Sequence, residues 1–186
     1  MRQPTRTRFV VTPGGYPLNP MATASPSWEG YAPESQRPPL LTYLALSSGF
    51  VAAVASFLFA RRRGGGLPER IEPSDLALIG GAAFKLSRLV AKKKIAAPIR
   101  APFTEYQGKG AAPAEVEEKA RGRGLQAALG ELLICPYCLG LWIASAMVAG
   151  LVTAPRETRL VASALSALGV ADFLHAAYRR LASRGA

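Results

Sequence analysis

The sequence predicts an all-α, polytopic helical membrane protein with three to four transmembrane helices, the last two forming an antiparallel hairpin. Three observations carry that prediction. Leu40–Ala60 and Leu132–Pro155 are runs of 21 and 24 residues without a charge, and about 20 apolar residues suffice to cross the hydrocarbon core. Hydrophobic residues make up 49% of the chain although its formal net charge is +11, a combination that suits apolar spans anchored by Lys and Arg at their cytoplasmic ends. The basic residues mostly flank the apolar runs, as in Arg61–Arg63, Lys92–Lys94 and Arg179–Arg180.

The elements follow in order. Residues 1–38, rich in Pro, Gly, Ser and Thr and without periodicity, are expected to form a disordered tail. The first transmembrane helix is expected over 39–61. A secretory signal carries its charges before the apolar run, whereas here the triple Arg follows it, so the span is read as retained. Gly64–Gly66 makes a flexible link and lacks the strand and helix context of a phosphate loop. A helix over 75–91 begins near Asp75, which the helix dipole favours. It carries Lys85 and Arg88, so it either spans with those side chains reaching to the interface or lies along the surface.

Residues 92–124 are expected to be a polar cytoplasmic loop, and 125–134 a juxtamembrane helix. Pro136 suits the first turn of a new helix, which places Cys135 at the N-cap of a span over 136–154. Pro155 and Arg156 mark a tight turn. A last span over 157–178 and a tail over 181–186 complete the chain.

Counting Lys and Arg orients the spans. With four spans, 15 lie on one side and 6 on the other, and both termini are cytoplasmic. With three, the split is 17 to 6 and the N-terminus moves outside. Either way the Cys pair and the C-terminus face the cytoplasm.

Cys135 lies 20 positions before Pro155 and His175 lies 20 after it, so equal rise per residue puts them at similar depth. Asp172 is three residues before His175, Glu131 sits a turn before the thiols, and Lys85 and Arg88 reach the same level if their helix spans. Ionisable residues inside a membrane mark a functional site by default. Three readings use this layer. In the first, Lys85 or Arg88 neutralises Asp172 and the role is structural or partner-binding. In the second, the dipole at a helix N-terminus activates a thiolate in Cys-Pro-Tyr-Cys; that tetrapeptide is similar to a glutaredoxin active site, although no strand or βαβ pattern surrounds it. In the third, Cys135, Cys138 and His175 with Asp172 or Glu131 offer zinc ligands. No cofactor is otherwise expected, and no nucleophile motif accompanies the single His. The expected partners are the lipid bilayer, a second copy or another membrane protein, and not nucleic acid. Gly140/Ala144, Ala146/Gly150 and Ala162/Ser166 are small-residue pairs that let helices approach closely. Tyr43, Trp142 and Tyr178 read as interfacial or packing aromatics.

Three segments, Phe84–Leu89, Pro98–Phe103 and Gly130–Trp142 with its Glu-Leu-Leu-x-Cys-x-x-Cys-x-Gly-x-Trp run, resemble the domain of unknown function 1360 family. That family comprises bacterial integral-membrane proteins and includes a sporulation-associated member. The resemblance covers about residues 74–178. It implies a multi-pass protein of the bacterial cytoplasmic membrane and implies no catalytic residues.

Overall fold

The computed structural model describes Tyr31 and residues 39–184; the expected N-terminal tail otherwise lies outside the described residues. Six helices and one two-stranded sheet make up the described fold: α1 (Leu40–Gly64), α2 (Pro73–Lys92), α3 (Ala97–Arg100), β1 (Thr104–Lys109), β2 (Val116–Ala120), α4 (Leu125–Ile134), α5 (Pro136–Thr153) and α6 (Pro155–Ala182). Among the described residues, α1, α5 and α6 are long and apolar enough to cross a membrane. They bury almost nothing within the protein: no residue of α1 or α5, and only Ala162 and Gly169 of α6, is enclosed. A helix that is apolar all round yet uncovered by protein needs an apolar solvent.

The centre of the bundle is α2, which packs against both α5 and α6. Its composition explains why. Asp75, Ile79, Ala82, Ala83, Lys85, Ser87 and Ala91 are buried, and most recur at three- and four-residue intervals, forming one face. α2 is not among the helices long and apolar enough to cross a membrane, and it runs parallel to α6 in a fixed register. Asp75, Leu78 and Lys85 meet Arg159, Ser166 and Asp172 in turn.

Small residues make this approach possible. A Cβ on Gly81 would lie 2.8 Å from Ser166 Oγ, and the Ser166 hydroxyl donates to the Leu78 carbonyl at 2.7 Å. Ala162 beside them is fully enclosed. The Ala162/Ser166 pair is therefore used inside the bundle. The turn between α5 and α6 is a single residue, Ala154, with Pro155 opening α6, a position where Pro is tolerated because its missing N–H is unneeded. This makes the last two helices an antiparallel hairpin.

The segment 92–124, read from sequence as a polar loop, is not one. It holds a single 3₁₀ turn (Lys94–Ala96), α3 and an antiparallel hairpin. The strands pair Thr104 with Ala120 and Lys109 with Val116, with an irregularity between Tyr106 and Gly108. Cross-strand neighbours Glu105 and Lys119 form an ion pair at 3.2 Å. An isolated antiparallel bridge pairs Lys93 with Glu115, where the Lys94 N–H donates to the Ala114 carbonyl at 2.9 Å, and α4 packs on β2. Gly130 is required at that contact, since a Cβ there would collide with the Phe103 carbonyl. The C-terminal helix also runs four residues beyond the expected 178, to Ala182.

Candidate functional site

Polar side chains join α2 to its neighbours at three levels. At its N-terminus, the Asp75 carboxylate accepts two bonds from the Arg159 guanidinium, at 2.8 and 2.7 Å. This fork-to-fork geometry is the strongest form of ion pair. Midway, Lys85 Nζ donates to Asp172 at 2.6 Å, with the Lys85 side chain only 10% exposed. Of the two cations considered for Asp172, Lys85 is thus the partner. Arg88 turns to the β-hairpin and donates to Glu115 at 2.8 Å, and Lys93 reaches the same carboxylate at 3.4 Å.

The third level is built on Arg100, a fully buried side chain. Its guanidinium donates to both carboxylate oxygens of Glu118, at 2.8 and 2.9 Å, and to the backbone carbonyls of Val90 and Lys93. Thr104 Oγ1 donates to Glu118 at 2.9 Å. One cation therefore ties the C-terminal carbonyls of α2, where positive charge is favoured, to the sheet. Arg100 keeps the Glu118 carboxyl below its usual range despite partial burial. Burial pushes Glu115 upward, but the bonds and charges of Arg88 and Lys93 more than offset it, leaving its carboxyl below the usual range.

Sequence reasoning gave Asp75 only a dipole role and missed Arg100 altogether. Both had a signal. Asp75 and Arg159 fall on the same side in the four-span charge count, and Arg100 is the one cation in an otherwise apolar Pro-Ile-Arg-Ala-Pro-Phe peptide.

Cys135 occupies the N-cap of α5, and its Sγ accepts the Cys138 N–H at 3.1 Å. The two cysteines form a pair at disulfide distance, with Cα atoms 5.3 Å apart, a spacing a disulfide accommodates. Cys138 and Glu131 line a cavity of about 540 Å³ between α1, α4 and α5, walled by Tyr43, Phe50 and Trp142. Phe50 and Trp142 meet edge to face at 5.0 Å. Burial raises the Glu131 carboxyl above its usual range.

His175 lies elsewhere. With Asp172 it lines a separate cavity of about 530 Å³ beside the hairpin turn. The layer inferred from depth is therefore split into two places. Equal depth does not set azimuth, and Cys138 and His175 face different cavities. Among the described residues no group of three or more His, Cys, Asp or Glu is placed to hold a metal ion.

These features define a class: a small helical protein with three bilayer-length helices, a central charged helix pinned by ion pairs, and a hairpin docked on its end. Residues 78–178 match the family described as "Protein of unknown function (DUF1360)", and the chain belongs to that family. It is similar to "Sporulation protein YjcA" of Bacillus subtilis (strain 168), at 30% identity over 101 residues, covering 53% of this chain and 86% of that relative. No solved structure matches the chain.

Proposed function

We propose that this protein is a non-catalytic scaffold of the bacterial cytoplasmic membrane that binds a membrane-protein partner. The observation that carries this reading is the pairing of Asp75 with Arg159 and of Lys85 with Asp172. Charges that could serve a ligand inside the bundle are used to hold α2 against α6. Partner binding is supported by α1, which makes few contacts with the rest of the bundle and leaves the 540 Å³ cavity open along its flank.

The parallel run of α2 beside α6 supports four crossings, hence both termini, the Cys pair and the β-hairpin in the cytoplasm. Photo-crosslinking in native membranes tests the reading. A photoreactive residue at Ser47 or Val51, on the cavity, is expected to give a discrete protein adduct. One at exposed Leu160 on α6 is expected to give lipid adducts alone. Lipid adducts alone from all three positions would remove the partner.

A second reading, thiol–disulfide exchange, is favoured by one observation: Cys135 sits on the helix N-terminus within bonding distance of Cys138. The dipole there lowers a thiol's pKa. Trapping with Cys138→Ser is expected to yield a mixed disulfide through Cys135. Thiols that stay fully reduced and unlinked in cells under oxidant would eliminate it.

A further inference from the structure

We infer that the cavity holding His175 is a binding site for the phosphate of an anionic phospholipid. It rests on the membrane placement argued above but not on a protein partner. The cavity is bounded by three elements: the C-terminal end of α2 with Arg88 and Lys93, the hairpin turn with Glu115, and α6 with Asp172, His175 and Arg179. Phe84 and Phe173 stack at 5.6 Å between ring centroids on its inner wall.

The charges do not balance. Asp172 is matched by Lys85, whereas the single carboxylate of Glu115 faces both Arg88 and Lys93. Arg179 also lines the cavity, and among the described residues no carboxylate pairs with it. Two positive charges are thus in excess before His175 is counted, in a recess where a low local dielectric strengthens their pull on an anion.

The surroundings select a lipid over a free phosphate. Phe173 and Tyr178 on the cavity wall are 65% and 71% exposed, and Ile95, two residues beyond Lys93, is 80% exposed. Such apolar residues beside cations are the composition of a surface lying at the headgroup and acyl boundary. Polybasic surface segments attract acidic lipids, and here three elements converge around the recess.

The test uses the full chain in neutral detergent. Thermal unfolding is followed with added phosphatidylglycerol, phosphatidylcholine or inorganic phosphate. Phosphatidylglycerol is expected to raise Tm with saturation at one site, while phosphatidylcholine and millimolar phosphate leave it unchanged. Arg179→Gln is expected to weaken the phosphatidylglycerol effect by about tenfold, the loss of one charge-assisted contact. Lys93→Gln reaches the same cavity from α2 and gives the same loss if the α6 variant fails to fold. Arg184→Gln, beyond the cavity at the same end, is expected to retain the full response. Equal shifts with both lipids, or an equal loss with Arg184→Gln, would overturn the site in favour of diffuse attraction. A shift with inorganic phosphate alone would overturn the lipid assignment.

Discussion

Arg100→Met is expected to destabilise the protein by about 3–5 kcal/mol, the usual cost of removing one partner from a buried ion pair. Tm in detergent should fall on the order of 10 °C for a chain of this length. Glu118, with a side chain only 8% exposed, would be left charged and unpaired. The Val90 and Lys93 carbonyls would lose their shared donor. Arg121→Gln, which gives up one exposed bond to the Pro102 carbonyl, is expected to change Tm by little.

The pH dependence separates this cause from simple loss of packing. In the native protein, Glu118 has a carboxyl pKa held below its ordinary value of 4.5 by Arg100. Its contribution is therefore complete above the ordinary value and is lost as pH falls through the depressed one. In Arg100→Met the buried carboxyl is unpaired, so desolvation raises its pKa and the sign reverses. The variant should gain stability as pH falls through the raised value, a window in which the native Glu118 contribution is still complete. A variant that follows the native profile would show that the ion pair is not the source of the effect.

Asp172→Asn is expected to have the second large effect. It leaves Lys85 enclosed among apolar residues with a neutral amide in place of its carboxylate. An unpaired cation at membrane depth costs about 2.5–3.5 kcal/mol on insertion scales, which is on the order of 100-fold in the folded ratio. The reciprocal change distinguishes pairing from packing. Lys85→Met combined with Asp172→Leu removes both charges and is expected to recover most of the folded yield, since apolar replacement of a buried pair is often neutral or stabilising. Arg88→Gln combined with Asp172→Asn is expected to recover none, because Arg88 is engaged with Glu115. Recovery through Arg88 would show that the two cations exchange partners.

The apolar helices were legible because a bilayer imposes a length and a composition that need no tertiary information. Cys135 at an N-cap was legible for a local reason, the Pro that follows it. The hairpin was not. Thr-Glu-Tyr-Gln-Gly-Lys and Val-Glu-Glu-Lys-Ala show no apolar alternation, since only Thr104 and Val116 are buried in the strands. Their order comes from charge contacts to α2 and to Arg100, which a periodicity search does not see. The partner of Asp172 was ambiguous for another reason. Lys85 and Arg88 lie three residues apart on one helix, and only the register of α2 against α6, set at Gly81 and Ser166, chooses between them.

The clamping of α2 at Asp75 and Lys85 has a bearing on biosynthesis. Both of its counter-charges, Arg159 and Asp172, are translated more than 80 residues later. Until then Asp75 and Lys85 have no neutralising neighbour, whereas Arg88 and Lys92 meet Glu115 and Glu117 within 27 residues. α2 is expected to settle in place only once the C-terminal pair has been made. A nascent chain arrested before α6 should therefore leave α2 open to protease.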